Sequence, residues 1–422
     1  MSSSKINRRQ FATGAAGLVL AAPAILRSRR AYAAGDPIKV GLVTPKTGPL
    51  AFFAEPDSFV LAQYQAVLAE GANGRPIEII VKDSQSNPNR AAEVANELML
   101  ADEVALILSA GAPANVNPVA DQAELNGVPS IATSSPWQPF VMGRGSTPDK
   151  GFESTFLFSF GLEDAIATYL KLWDGQDTNK KVGMLLPNDA DGNAWADSSF
   201  GFPPALEKAG YEIVNPGRYT PLAEDYTSFV SAFKDAGTDI VMGSMLPPEF
   251  LTFWGQAGQQ RLAPKIATIG KSLLLPTVLE ATGDRGDLLS TEMAWHPAYP
   301  FTSAATGQTA GQIADAWTKE TGKPWIQTIG SKHALLDLAV DVLRRSENPN
   351  EPGSVIEAIK ATDVETTSGR ANWAASPIAN VCKAAMMGGQ WHLRDGKYEL
   401  EIAANPTSLD VPVTQPLQLM GA

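Results

Sequence analysis

The stretch IKVGLVTPKTGPLAFF, residues 38–53, determines the fold expected for this chain. Apart from Lys39, its first six residues are apolar or small and rich in β-branched side chains, which predicts a buried strand. A loop of small residues, Thr47-Gly48-Pro49, follows directly. Beyond it, apolar residues recur four, seven and eight positions after Val60, which is the spacing of one helix face. A strand, a short loop and an amphipathic helix in this order are typical of a parallel α/β sheet.

The alternation of short apolar runs and helical stretches continues in two series. The first series of predicted strands covers residues 38–43, 77–81, 104–108 and 130–132, and the second covers residues 182–186, 212–214, 240–242 and 266–269. Parallel strands that alternate with helices form open sheets with both faces covered. The 422 residues are therefore expected to fold as an α/β protein with two doubly wound, Rossmann-like lobes.

The first 33 residues carry the signature of an export signal. A basic start is followed by an apolar run, residues 11–26, and then by Ala31-Tyr32-Ala33, an A-x-A cleavage pattern. The run is shorter than the ~20 residues that a membrane-spanning helix needs. Because Arg8 and Arg9 stand two places before Phe11, the segment resembles a twin-arginine signal. We predict cleavage before Ala34 and a periplasmic location.

Charge and composition narrow the range of partners. The whole chain has a net charge of −12, and removal of the predicted signal leaves 27 basic against 45 acidic groups. So acidic a surface does not attract nucleic acid, and none is expected as a partner. The single cysteine, Cys382, excludes an internal disulfide and fits a small buried apolar residue. With only three well-separated histidines, we expect neither a metal nor a cofactor.

Ligands of parallel sheets bind beyond the carboxyl ends of the strands, so the loops after the predicted strands matter most. In the first series these loops lie within residues 47–53, 109–115 and 133–137. They combine small residues, which let backbone N–H groups reach a ligand, with aromatics such as Phe53 and Trp137, which could enclose an apolar one. The pattern indicates a binding cleft for a small molecule.

Several short motifs occur in an order that resembles the periplasmic binding proteins of the branched-chain amino acid and amide type, the extracytoplasmic components of ABC importers. The motifs are 38–41 leading to 47–51, Asp83 with Asn87-Pro88, 127–131, 225–229, Pro248-Glu249, Asn372-Trp373 and 390–392. The resemblance covers nearly all of the chain after the signal. It implies the type I periplasmic-binding-protein fold, in which two lobes joined by three crossovers close on a ligand.

The resemblance also implies where the lobes meet. The crossovers are expected near Phe160, Met293 and Thr367. Residues 37–160 and 294–366 then form the first lobe, and residues 161–293 and 367–422 form the second. The ligand is expected in the cleft between the two lobes.

At three positions the sequence departs from the amino-acid-binding members of this family. Where those members hold the ligand's carboxylate and ammonium groups, this chain has Pro113, Pro136 and Ser272. A buried ammonium without a counter-charge is costly, so the missing acid argues against an α-amino acid. The neighbouring Lys271 could instead pair with a ligand carboxylate. These departures favour an organic or aromatic carboxylate as the ligand, with an amino acid or amide as the alternative.

The candidate ligand-binding residues come from these loops and from their counterparts in the second lobe. Aromatic residues would form an apolar cage, small and hydroxyl residues would supply donors, and Lys271 would supply charge. The set is Phe53, Ala112, Pro113, Ala114, Ser134, Ser135, Trp137, Asn193, Trp195, Met245, Lys271 and Trp295.

One further motif is incomplete. Asp189 and Asp191 resemble the start of a calcium loop, but the sixth and twelfth positions of that loop hold Ala194 and Phe200. The stretch is better interpreted as a helix cap beside the cleft.

The function expected from these features is non-catalytic capture of a small solute by a monomer that delivers it to an ABC permease. No nucleophile, base and orienting group come together in the loops after the strands, so a periplasmic enzyme on the same fold is the less favoured alternative. A ligand sensor that docks on a membrane receptor uses the same two-lobed clamp and is a third interpretation.

Overall fold

Strands and helices alternate along the chain in the computed structural model, which describes residues 35–421. The expected signal peptide, residues 1–33, lies outside the described residues. The strands are β1 Ile38–Thr44, β2 Ile77–Asp83, β3 Leu106–Ala110, β4 Ser130–Thr133, β5 Thr155–Ser159, β6 Lys181–Pro187, β7 Glu212–Val214, β8 Arg218–Tyr219, β9 Ile240–Met245, β10 Ile266–Lys271, β11 Ser290–Met293, β12 Asp363–Thr366, β13 Gly369–Asn372, β14 Val381–Lys383, β15 Met387–Arg394 and β16 Lys397–Ala404.

The helices connect these strands and cover the sheets. They are α1 Asp57–Gln63, α2 Gln65–Glu70, α3 Pro88–Leu100, α4 Pro113–Asn126, α5 Trp137–Val141, α6 Leu162–Trp173, α7 Ala190–Trp195, α8 Phe202–Lys208, α9 Thr227–Ala236, α10 Pro247–Gln259, α11 Pro276–Ala281, α12 Ala310–Thr321, α13 Thr328–Arg345 and α14 Pro352–Lys360. Among these described helices, none has both the length and the apolar character that crossing a membrane requires.

Six strands form the first sheet, in the order β14-β5-β4-β3-β1-β2, and all neighbours run parallel. Its central strands β3 and β4 are buried along their whole length, which explains why their sequences are apolar or small-residue runs. The strand order reverses between β1 and β3, and doubly wound sheets open a crevice at such a point. The loops after Thr44 and Ala110 therefore border a crevice.

The second sheet has the order β16-β15-β11-β10-β9-β6-β7, with β8 beside β6. The strands from β6 to β11 pair in parallel, whereas β15 runs antiparallel to both β11 and β16. The order reverses between β6 and β9, so a second crevice opens after Pro187 and Met245. The two sheets confirm the prediction of an α/β protein with two doubly wound lobes.

The chain passes between the two sheets three times. After β5 it enters α6, which packs on β15 and β11, and after β11 it returns to α13, which packs on β3 and β4. The third passage, at residues 384–386, joins β14 to β15. It lies later than the position near Thr367 that the family resemblance implies, because residues 381–383 form an additional parallel strand beside β5.

A buried ion pair seats α13 against the first sheet. Lys332 Nζ lies 2.8 Å from Asp57 Oδ1 of α1 and donates to Thr44 Oγ1, at the end of β1, over 2.8 Å. Losing either charged partner would leave the other buried and uncompensated, which is strongly destabilising. The pair thereby also fixes the positions of Thr328 and Ser331, which lie within one turn of Lys332 on the same helix.

Cys382 is buried in β14. Its sulfur accepts a hydrogen bond from the backbone N–H of Asn372 over 3.0 Å, and burial raises the pKa of the thiol to about 11. The residue therefore packs as a small, un-ionised side chain, in agreement with the sequence prediction.

Candidate ligand-binding site

A cavity lies where the crevices of the two sheets meet. It encloses about 800 Å³ of empty space, counting the part that opens to solvent. Residues at and after the strand ends of the two reversal points contribute to its wall. They are Phe53, Ala112 and Pro113 from the first sheet, and Asp191, Trp195 and Ser244 from the second.

All three chain passages between the sheets also line the cavity. Phe160 belongs to the first passage, Ala294 and Trp295 follow the second crossing point, and Ala384 and Met386 belong to the third. Rotation of one sheet against the other about these passages would therefore change the shape of the cavity directly.

Two indole rings are held rigidly in the cavity wall. Trp195 stacks on Phe202 with ring centroids 4.8 Å apart and meets Tyr169 edge-on at 5.8 Å. Trp295 packs so closely on α13 that a Cβ at Gly330 would come within 2.1 Å of its ring, so this helix position accepts only glycine. The wall also contains the apolar side chains of Phe53, Pro136, Phe158, Phe160, Leu274 and Met386.

Four buried donors in the wall have no hydrogen-bond partner within the part of the chain that the structure describes. They are Trp195 Nε1, Trp295 Nε1, Ser159 Oγ and Ser368 Oγ. Buried polar groups in folded proteins are nearly always hydrogen-bonded, and leaving one unpaired is costly. These four donors are therefore suited to a ligand that carries acceptor oxygens.

The amino terminus of α4 lies at the same cavity. Its N-cap is Ala112, which has no side-chain oxygen to cap the helix, and Pro113 occupies the first helical position. The amino end of this 14-residue helix carries partial positive charge, which favours an anion nearby. The loop therefore provides a region in which a ligand carboxylate would be stabilised.

Lys271 occupies a strained backbone position in the opposite wall. Its φ of 61° and ψ of −63° correspond to a γ-turn that residues with side chains rarely adopt. Its Nζ lies 2.5 Å from Asp191 Oδ2, and the two side chains are only 12% and 4% exposed. Burial opposes the charge of Lys271, but the neighbouring acids, Asp191 foremost, outweigh it and raise the pKa. Lys271 is thus already paired, which corrects the expectation that it is free for a ligand carboxylate.

Two acidic side chains line the cavity near this lysine. Asp191 Oδ2 also accepts a hydrogen bond from Ser244 Oγ over 3.2 Å, whereas Oδ1 is buried without a partner among the described residues. Glu292 Oε2 accepts a hydrogen bond from Tyr169 OH over 2.8 Å, and burial, aided by the charge of Asp191, raises the pKa of Glu292. Although position 272 holds a serine and no acid, Asp191 and Glu292 supply acids to this wall. The serine at position 272 is therefore no longer an argument against an ammonium-bearing ligand.

Seven of the twelve candidate residues line the cavity. They are Phe53, Ala112, Pro113, Ser134, Trp195, Lys271 and Trp295. Five do not. Ala114 and Asn193 are exposed, because the helices that carry them, α4 and α7, turn those side chains away. Ser135 and Met245 are buried in local structure, where Ser135 Oγ donates to Pro136 O over 3.3 Å and Met245 O accepts from Ser272 Oγ over 2.6 Å.

Trp137 joins a hydrogen-bonded cluster at the chain passages instead of the cavity. Its Nε1 donates to Glu163 Oε1 over 2.9 Å, and Gln138 Nε2 donates to Glu163 Oε2 over 2.6 Å. Lys383 pairs with Glu163 at 2.8 Å and with Asp164 at 2.7 Å. These five residues, the crossover cluster, connect α5 to the starts of α6 and of the third passage.

The lining residues that were not among the candidates belong mainly to strand ends, to the passages and to α13. The signal that could have revealed Glu292 is an acidic residue within a strand, Ser290–Met293, whose other residues are uncharged. Asp191 carries a signal as well, because it lies in the turn that follows the end of a strand. Thr328 and Ser331 carry none, because they reach the cavity only through the packing of α13.

Two doubly wound sheets, a cavity between them and three connecting passages define a solute-binding protein of the type I architecture. The model of the periplasmic binding protein family matches residues 37–392. The chain belongs to this family, and membership implies an extracytoplasmic location.

The chain is similar to known proteins both in sequence and in structure. The Leu/Ile/Val-binding protein homolog 7 of Brucella suis is 25% identical over 403 residues, covering 90% of this chain and 94% of the relative. A solute-binding protein of an ABC transporter from Rhodopseudomonas palustris, in complex with 3,4-dihydroxybenzoic acid, has a TM-score of 0.71 at 22% identity and covers 87% of this chain and 96% of its own. A leucine-binding protein from Thermotoga maritima has a TM-score of 0.71 at 18% identity and covers 88% and 100%.

Proposed function

We propose that the protein captures a small aromatic carboxylate and delivers it, chemically unchanged, to an ABC permease. The cavity wall carries this proposal, because it combines rigid aromatic side chains with buried donors that have no partner among the described residues. The bound 3,4-dihydroxybenzoic acid of the Rhodopseudomonas palustris protein, a structural neighbour, supports the ligand class.

The ligand carboxylate is assigned to the side of the cavity formed by the first sheet. There the open amino terminus of α4 at Ala112 lies with the hydroxyl groups of Ser134 and Ser159. The two acids, Asp191 and Glu292, both belong to the second sheet's side, where a ligand anion would be repelled. The distribution of donors and acids thus orients an anionic ligand in one direction.

The ring of the ligand is assigned to the space between Trp195, Trp295 and Phe158. Aromatic pairs contribute roughly 0.5–1.5 kcal/mol beyond the free energy of burying their area. Because Phe202 and Gly330 fix the two indoles, little side-chain entropy would be lost when a ring binds between them.

Capture is proposed to close the two lobes about the passages at Phe160, at Ala294 and at residues 384–386, in a protein that is exported by a twin-arginine signal and acts as a monomer. Residues of all three passages line the cavity, which supports this motion. Small-angle scattering with saturating ligand should show a smaller radius of gyration than without it. An unchanged radius with a tightly bound ligand would contradict closure.

Binding without catalysis is supported by the chemistry of the wall. Within the described residues it contains serine hydroxyls but no histidine or cysteine, and the one serine beside an acid, Ser244, donates to an Asp191 that already pairs with Lys271. A general base with a free lone pair at a nucleophile is what hydrolysis would need. Incubation should return the ligand intact, and stoichiometric conversion to a product would overturn this part of the proposal.

The ligand class is tested by calorimetry on the chain that begins at Ala34. Benzoate and 3,4-dihydroxybenzoate should bind, whereas leucine should not. Thermal unfolding provides a second readout, because a ligand at 100 times its Kd stabilises the native state by about 2.7 kcal/mol. Tight binding of leucine without binding of either aromatic acid would refute the aromatic assignment and leave the solute-binding role intact.

An α-amino acid is the second candidate, because Asp191 Oδ1 and Glu292 could accept hydrogen bonds from an ammonium group. The Leu/Ile/Val-binding protein homolog from Brucella suis supports this reading by its name. The same titrations distinguish the two candidates.

A further inference from the structure

The wall formed by the second sheet contains carboxylate oxygens that could accept more hydrogen bonds than the described residues donate to them. Asp191 Oδ1 is buried without a partner, although Oδ2 of the same carboxylate is held by Lys271 and Ser244. Glu292 Oε1 has only a long contact, 3.4 Å, to the backbone N–H of Lys271. The one nearby ammonium group is committed to Asp191, so no described cation pairs with Glu292.

The position of Glu292 is built into the sequence of the adjacent strand. A Cβ at Gly270 would come within 2.7 Å of Glu292 Oε1, so the glycine leaves the space that this carboxylate occupies. A carboxylate has about four acceptor sites, and a buried acceptor left unpaired is costly. The two acids therefore face a part of the cavity that a hydrogen-bond donor would fill.

The polarity of the cavity is thus divided. The unpartnered hydroxyl of Ser159, at the end of β5, lies on the same side as the α4 terminus, whereas the carboxylate acceptors with spare capacity lie on the opposite wall, which also holds the indole N–H of Trp195. An unsubstituted benzoate would satisfy the first group with its carboxylate and leave the second group against a bare ring edge. A ligand with groups of both kinds would satisfy both walls.

We propose that the ligand carries a hydroxyl group at the end remote from its carboxylate, and that this hydroxyl donates to Glu292. The inference rests on the proposed function, since it takes the carboxylate to lie at the first sheet. A hydroxyl is favoured over an ammonium because the Lys271 ammonium already lies in this wall, where a second buried cation would be repelled. The ligand class is accordingly the hydroxylated aromatic acids.

The test is a calorimetric comparison of benzoate, 4-hydroxybenzoate and 4-(aminomethyl)benzoate on the wild type, on Glu292→Gln and on Glu280→Gln. Glu280 is an exposed glutamate of α11 and serves as the matched control. The wild type and Glu280→Gln should bind 4-hydroxybenzoate roughly 10- to 100-fold more tightly than benzoate, as expected for a hydrogen bond to a charged group. In Glu292→Gln this ratio should fall to about threefold or less, and benzoate itself should bind no more weakly, because one repelling charge is removed from the wall.

The outcomes separate the inference from the proposed function. Equal binding of benzoate and 4-hydroxybenzoate by the wild type, or an unchanged ratio in Glu292→Gln, overturns the inference and leaves the aromatic-carboxylate proposal standing. Tighter binding of the aminomethyl compound overturns the hydroxyl assignment. If a folded wild type binds none of the three acids, both the proposed ligand class and this inference fail. Circular dichroism and retained benzoate binding show that Glu292→Gln is folded.

Discussion

Lys271→Met removes the cation that neutralises Asp191 in the cavity wall. The two side chains are 12% and 4% exposed, with 2.5 Å between Nζ and Oδ2. Breaking a buried ion pair by removing one partner costs about 3–5 kcal/mol, because the other charge stays buried and uncompensated. Ser244 Oγ still donates to Asp191 Oδ2, and the cavity admits solvent, so the lower end of the range applies. We expect the free energy of unfolding of the ligand-free protein to fall by about 3 kcal/mol.

Urea titration followed by circular dichroism measures this loss. The double variant Lys271→Met/Asp191→Leu removes both charges and should regain all but about 1 kcal/mol of the stability. Lys265→Met is the control, because its pair with Asp239 involves a lysine that is 40% exposed and should contribute less than about 1 kcal/mol. The reasoning is refuted if Lys271→Met is as mild as this control, or if the double variant is less stable than the single one.

Other expectations concern the remaining polar groups of the cavity. Glu292→Gln should stabilise the ligand-free protein at pH 7. A raised carboxyl pKa makes wild-type stability fall as the pH rises from about 4.3 toward the native pKa, so the advantage of the variant should vanish near pH 4 in urea titrations. Ser159→Ala should weaken aromatic-carboxylate binding about tenfold in calorimetry without loss of stability, because its hydroxyl has no partner among the described residues. Ser84→Ala, which removes another buried, unpartnered hydroxyl away from the cavity, should change neither quantity.

The positions that sequence patterns locate best are those directly after strands at the reversal points of a doubly wound sheet. Phe53, Ala112 and Pro113 follow β1 and β3, and the carboxyl ends of parallel strands necessarily meet at one edge. The position of the third passage cannot be predicted in this way. Strand β14 contains only three residues, too few for an apolar pattern to distinguish from a loop, and its pairing with β5 sets where the chain leaves the first sheet.

The direction in which an aromatic side chain points is less accessible to sequence patterns. Trp137 and Trp195 both follow strands, yet only Trp195 lines the cavity. The orientation of Trp137 is determined by Glu163, 26 residues away in sequence, which accepts its N–H. Likewise, Lys271 is neutralised by Asp191 from another loop. Such pairings depend on tertiary packing, which local spacing does not encode.

The thiol of Cys382 has a consequence for a protein that resides outside the cytoplasm. Disulfide exchange and oxidation proceed through the thiolate, and with a pKa of about 11 roughly one thiol in ten thousand is ionised at pH 7. The folded chain therefore forms mixed disulfides slowly in an oxidising compartment, whereas each unfolded molecule exposes its single cysteine. Because Cys382 directly precedes the last residue before the third passage, its rate of alkylation would also report transient opening at that joint.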